Sequence, residues 1–118
     1  MKRDMSKTQT GTPYYASPEV WKDEPYDWRS DMWSIGCVLY EMTTLKPPFR
    51  AQNMEGLYKK VVKGVYPKIN MQTYSEDLAM MVKSLLQVNP ELRPSCEQIL
   101  QLPEVKQYAE ELCPEEPL

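Results

Sequence analysis

Apolar residues recur at helical spacing in four stretches of the chain. From Ser30 to Thr44, Met32, Ile35, Leu39 and Met42 define one helical face, Trp33, Cys37 and Tyr40 occupy another, and Val38 helps to close the gap. A helix apolar around nearly its whole circumference expects burial. Lys46-Pro47-Pro48-Phe49 ends it. A second, amphipathic helix fits Asn53 to Lys63, where Met54, Leu57, Tyr58 and Val61 recur at i, i+3, i+4 and i+7, with Asn53 as N-cap and Gly64 as stop. A third runs from Ser75, with Glu76 and Asp77 complementing the helix dipole, through Leu78, Met81, Val82, Leu85 and Leu86 to a halt before Asn89-Pro90. A fourth opens on Ser95 with Gln98 three residues on, a capping-box pattern, and continues through Ile99 and Leu100 until Pro103 interrupts it. Val105, Tyr108, Ala109 and Leu112 suggest one more turned segment before an acidic tail of Glu115, Glu116 and Leu118.

Residues 1–28 carry Gly11, Pro13, Pro18 and Pro25 among Thr and Tyr, without a sustained helical stripe, and so read as loop. Neither strand alternation nor an internal repeat stands out. The fold class expected is mainly α with long irregular connections, divided into a loop segment (1–28), a helical body (29–103) and a short acidic extension (104–118).

Charge and composition narrow the functions available. With 14 Lys and Arg against 17 Asp and Glu among 118 residues, the net charge of −3 offers no broad basic surface for nucleic acid or anionic lipid. Cys37, Cys96 and Cys113 are odd in number and lack C-x-x-C spacing, so neither a disulfide framework nor a zinc site is expected, and a reducing, intracellular setting is the plain expectation. Met1 precedes Lys2, Arg3 and Asp4 rather than an apolar run, so neither a signal peptide nor a membrane span is expected. The sequence contains no histidine, which removes imidazole-based nucleophilic triads and His metal ligands together.

Four strings, in order, carry an identification. They are Gly11-Thr12-Pro13-Tyr14-Tyr15-Ala16-Ser17-Pro18-Glu19, Ser30-Asp31-Met32-Trp33-Ser34-Ile35-Gly36, Pro47-Pro48-Phe49, and Asn89-Pro90-Glu91-Leu92-Arg93-Pro94. Together they resemble the late subdomains of eukaryotic protein kinases, with Ser17-Pro18-Glu19 standing where the family has Ala-Pro-Glu. Gly11-Thr12-Pro13-x-Tyr15 resembles the serine/threonine class. The same string, with Gly36-Cys37-Val38-Leu39-Tyr40-Glu41-Met42 and Thr44-Leu45-Lys46, is similar to the NIMA-related kinases in particular.

The resemblance implies the C-terminal lobe portion of the kinase fold, without the N-terminal lobe and catalytic loop, and assigns roles residue by residue. Gly11, Thr12, Pro13, Tyr14 and Tyr15 would form the loop that receives the substrate residue after the phosphoacceptor, and the Thr12 hydroxyl would steady a catalytic Asp absent from this sequence. Taken alone, Thr12 is a turn residue and the two tyrosines are packing residues. Thr8 stands at the family's activating phosphosite and Thr10 beside it; phosphate there adds about −1.5 to −2 charges and can order a loop by pairing with Arg. Glu19 and Arg93 resemble the ion pair that ties the activation segment to the late helices, a bidentate geometry suited to guanidinium and carboxylate. Asp31 would cap its helix in isolation, whereas the family uses it to hydrogen-bond the catalytic-loop backbone. Trp33 and Gly36 are structural.

Phosphoryl transfer requires a Gly-rich loop over the phosphates, a Lys on them, an Asp near the substrate hydroxyl and an Asp holding Mg²⁺. Glycines at 11, 36, 56 and 64 cannot form G-x-G-x-x-G, His-Arg-Asp is impossible without His, and the only Phe, Phe49, follows Pro48 rather than Asp. The resemblance implies ATP and Mg²⁺ for a complete kinase and neither for this chain alone, with Ser/Thr protein substrates and the missing upstream kinase segment as partners and a cytoplasmic, cytoskeleton-associated location. The expected chain is therefore a kinase piece that starts within its activation segment. The alternative is a non-catalytic helical interaction module derived from a kinase lobe; a generic helical adaptor would require the four motifs to coincide by accident. A further expectation is that part of a strip of Met32, Trp33, Ile35, Leu39 and Met42 faces water, leaving a loosely packed or self-associating product.

Overall fold

The computed structural model describes residues 12–70, 76–103 and 105–107. Among these residues every regular element is helical. The elements are α1 (Pro18–Trp21), α2 (Trp28–Thr44), α3 (Met54–Lys63), α4 (Glu76–Leu85), a 3₁₀ turn (Pro90–Leu92) and α5 (Cys96–Leu100).

Helix α1 corrects the reading of residues 1–28 as loop throughout. One turn forms because Ser17 is an extended N-cap whose hydroxyl accepts from the Val20 N–H at 3.4 Å, with Pro18 just inside the start, where its missing N–H costs nothing. Four residues are too few to show a periodic stripe, which is why the apolar pattern missed them.

Helix α2 begins two residues earlier than the pattern suggested. Its N-cap is Asp27, whose carboxylate accepts from the Arg29 N–H at 2.9 Å. Asp31 therefore does not cap the helix: it already lies in the first turn and is exposed. The apolar circumference also divides differently from the expectation. Met32 and Trp33 are buried, whereas Ile35, Val38, Met42 and Leu45 are exposed, the last two at 71% and 84%. The water-facing strip is thus narrower than expected, because the Trp33–Cys37–Tyr40 face turns inward and takes Met32 with it.

The core gathers Trp33, Cys37 and Tyr40 of α2 with Phe49, Leu57 and Val61 of α3 and its approach, Ile69, and Val82 and Leu86 of α4 and its end. Trp33 stacks on Phe49 with ring centroids 5.4 Å apart and planes inclined by 9°. The Tyr40 hydroxyl donates to the Pro67 carbonyl at 2.6 Å and ties the segment after α3 to α2. Gly36 lets α2 and α4 approach closely, since a Cβ there would lie 2.8 Å from Leu85 Cβ.

The remaining caps follow the sequence. Asn53 accepts from Gly56 N–H at 2.7 Å, and Gly64 closes α3 at φ +70, a left-handed conformation that favours glycine. Ser95 and Gln98 form the reciprocal capping box of α5. Ser75, the expected start of α4, lies outside the described residues, as do Tyr108, Ala109, Leu112 and the tail beyond. Cys37 and Cys96 are free thiols. Burial, with a smaller push from Glu41 against the pull of Arg93, raises the Cys37 thiol to about 12 and leaves it unreactive.

Candidate functional site

The most heavily bonded polar group in the described chain is Arg93. Its side chain is fully buried and that of Glu19 is 7% exposed. Two parallel bonds join them, Nη1 to Oε2 at 2.7 Å and Nη2 to Oε1 at 3.0 Å. The remaining donors reach backbone carbonyls: Nε to Gln87 at 2.8 Å, Nη1 to Arg29 at 2.8 Å and Nη2 to Val88 at 3.2 Å. The guanidinium carbon also stands 5.1 Å from the Trp33 ring centroid. One side chain therefore fastens α1, the first turn of α2, and the loop between α4 and the 3₁₀ turn. The sequence expectation that Glu19 and Arg93 meet agrees with this geometry, across 74 positions of chain.

Ser30 completes the cluster by donating its hydroxyl to Glu19 Oε2 at 2.6 Å. Burial alone would raise the Glu19 carboxyl. The hydrogen bonds from Arg93 and Ser30, together with the Arg93 charge, outweigh it and hold the carboxyl below its ordinary value.

Fixing α1 fixes the strand of chain that leads into it. Thr12, Pro13, Tyr14, Tyr15 and Ser17 line a cavity of about 230 Å³ whose opposite wall includes Ser30, Asp31 and Ser34 of α2. Pro13 and Ser17 are buried, Thr12 is exposed, and Tyr14 packs partly against the core. Tyr15 is bound to α2 at two points. Its carbonyl accepts from the Ser34 hydroxyl at 2.9 Å, and its own hydroxyl donates to the Glu41 carboxylate. That hydrogen bond, with burial and the Glu41 charge, pushes the Tyr15 phenol up to about 12.

The family resemblance grouped Thr12, Pro13, Tyr14, Tyr15, Asp31, Glu19 and Arg93; the first five line one cavity, and the last two pair beside it, at α1. Thr8, Thr10 and Gly11 lie outside the described residues. Trp33 and Gly36 stand in the core. Sequence reasoning missed Ser30, Ser34 and Glu41, which hold Glu19 and Tyr15. Ser30 and Ser34 are four apart, hence on one face of α2, but nothing in the sequence says which residue that face meets. Ser17 was read as part of a loop, although Ser-Pro-Glu is a helix-start pattern that could have marked it as a cap.

Comparison with known proteins bears on the whole arrangement. Residues 1–104 match the family described as protein kinase domain. The chain is 50% identical over 105 residues to "Probable serine/threonine-protein kinase nek3" of Dictyostelium discoideum, a match covering 88% of this chain and 9% of that protein. It is 42% identical over 105 residues to serine/threonine-protein kinase Nek4 of Mus musculus, covering 89% and 13% respectively. To Nek1 of Mus musculus it is 44% identical over 98 residues, covering 83% and 8%. The chain thus spans only 8% to 13% of the length of these curated relatives. A buried arginine–carboxylate anchor beneath a Thr-Pro-Tyr-Tyr cavity, found in a chain whose first 104 residues match that family, means that the chain belongs to the protein kinase domain family, within which it is similar to the Nek serine/threonine kinases.

Proposed function

We infer that this chain carries the peptide-substrate platform of a serine/threonine kinase domain, which transfers the γ-phosphate of ATP to Ser or Thr hydroxyls of proteins. The observation that supports this best is the fully buried Arg93 bound at two points to Glu19, which anchors the segment Thr12–Ser17 over its cavity. A substrate loop needs such rigidity, because a misplacement of about 1 Å at the acceptor can cost on the order of 100-fold in rate. On this reading Thr12, Pro13, Tyr14 and Tyr15, with Gly11 before them, receive the residue after the phosphoacceptor. The Thr12 hydroxyl steadies a catalytic Asp, and Asp31 holds the backbone of the loop bearing that Asp. Thr8 is the activating phosphosite, with Thr10 beside it. A cytoplasmic setting belongs to the same reading.

The residues of this chain do not fit an ATP–Mg²⁺ site. The sequence has neither G-x-G-x-x-G nor His-Arg-Asp nor Asp-Phe-Gly, and among the described residues no three His, Cys, Asp or Glu side chains gather where they would hold a metal ion. The second reading is a helical interaction module without catalysis.

A chimera separates the two readings. Residues 1–104 replace the stretch of Dictyostelium discoideum nek3 with which they align, and radiolabelled phosphate transfer is measured on peptides that differ only in Ser, Thr or Tyr as acceptor. Transfer to Ser and Thr but not Tyr is expected, while the 118-residue chain alone neither binds Mg-ATP nor transfers phosphate. An inactive but folded chimera would favour the interaction module, and transfer by the isolated chain would overturn the platform reading.

A further inference from the structure

Positive charge is concentrated in one stretch of this acidic protein. Between Lys46 and Lys68 stand six cations, Lys46, Arg50, Lys59, Lys60, Lys63 and Lys68, against a single carboxylate, Glu55. The stretch carries +5 and the rest of the chain −8, which together give the net −3. Glu55 is already beside Lys59, 3.6 Å away.

Four of these cations border two adjoining hollows. One, of about 500 Å³, lies among Pro48, Arg50, Ala51, Lys60, Val65 and Tyr66. The other, of about 410 Å³, lies among Tyr40, Thr44, Lys46, Pro47, Arg50 and Lys68. Arg50 and Pro67 belong to both, so the hollows form one continuous groove. No carboxylate lines either. None of Lys46, Arg50, Lys60 and Lys68 is in an ion pair with a carboxylate among the described residues. The Lys60 ammonium donates to the Arg50 carbonyl, which holds it at the groove edge. The groove shares no residue with the cavity at Thr12–Ser34.

We propose that this groove is a docking surface for an acidic polypeptide segment carrying apolar side chains. Four uncompensated cations around a trough walled by proline, valine and tyrosine suit carboxylates at the rim and an apolar side chain between them. Charge complementarity of this kind steers association and selects partners. The walls favour a peptide over a nucleic acid: a phosphate backbone gains little from Pro47, Pro48 and Val65, and a polyanion longer than the groove runs onto a chain whose other residues sum to −8. A short acidic segment does not. The inference is independent of the kinase reading, since it uses none of the residues around Thr12.

Fluorescence anisotropy tests the proposal on the 118-residue chain. The probe is a short fluorescein-labelled peptide rich in glutamate and containing two leucines. The wild-type chain binds it with an affinity that falls as salt is raised. The Arg50→Glu/Lys68→Glu variant binds about tenfold or more weakly, the scale carried by two lost surface ion pairs and two new repulsions. Lys106→Glu, a reversal elsewhere on the surface, stays close to wild type. Arg50→Gln/Lys68→Gln falls between, and covers the case in which charge reversal disturbs folding, which circular dichroism detects. Equal affinity of the reversed and wild-type chains overturns the proposal, as does tighter binding of an oligonucleotide of matching charge. Binding that emerges only after residues 108–118 are removed also overturns it, because the groove then serves the chain's own acidic tail.

Discussion

Replacing Arg93 by alanine removes the hub of the anchor and is the most informative single perturbation. Five hydrogen bonds disappear at once, two of them to Glu19 and three to the carbonyls of Gln87, Arg29 and Val88. Glu19 keeps only the Ser30 hydroxyl as a side-chain donor, at 2.6 Å, in surroundings that leave its side chain 7% exposed. Breaking one half of a buried pair costs about 3–5 kcal/mol, chiefly because an uncompensated charge remains. For a domain stable by about 5–15 kcal/mol that is a large fraction. The assay is urea unfolding of the nek3 chimera carrying Arg93→Ala, Glu19→Gln or both. Glu19→Gln removes the stranded charge, so the double variant should lose less than the sum of the singles. Losses that add strictly would show that the two side chains do not interact in solution, and a loss below about 1 kcal/mol for Arg93→Ala would place the pair in the class of exposed bridges.

Three other outcomes follow from the same structure. Because the folded Glu19 carboxyl sits below its ordinary 4.5, the pair's contribution is present above that value and is lost as pH falls through the lower folded value; the pH dependence should flatten in Glu19→Gln, and an unchanged slope would contradict it. Gly36→Ala should destabilise the chimera by about 1–3 kcal/mol, read as a lower urea midpoint, since the new Cβ meets Leu85 Cβ at 2.8 Å and neither atom can rotate away. Thr8→Ala should abolish most activation of the chimera, because Lys2, Arg3 and Lys7 leave that segment receptive to phosphate; full activity with Thr10 unmodified would refute the assignment.

What the sequence made legible depended on range. Caps are local chemistry, and Asn53, Gly64 and the Ser95–Gln98 box stand where spacing put them. The core face of α3 was equally clear, since Leu57 and Val61 are the buried members of its stripe. Helix α2 was harder, because apolar side chains surround it and periodicity cannot say which arc turns inward. Trp33, Cys37 and Tyr40 win the interior through Phe49 and the close approach at Gly36, both contacts distant in sequence. Glu19 and Arg93 were paired through motif resemblance, not physical pattern. The same resemblance included Ser30, Ser34 and Glu41 in its strings but gave them no role, and their importance arises only once α2 lies under the Thr12–Ser17 segment.

The most direct test of the platform is a peptide series in which only the residue after the acceptor serine varies. The cavity of about 230 Å³, walled by Pro13, Tyr14, Tyr15 and Val20 with Ser30, Asp31 and Ser34 opposite, is of a size to seat one side chain. One apolar group seated or lost in such a cavity changes kcat/KM by about 10–200-fold. The chimera should therefore favour an apolar residue at that position over glycine by about tenfold or more, with the preference weakened when Arg93→Ala loosens α1. A flat series, with kcat/KM indifferent to that residue in both proteins, would contradict the assignment of Thr12–Ser17 as the substrate-binding segment.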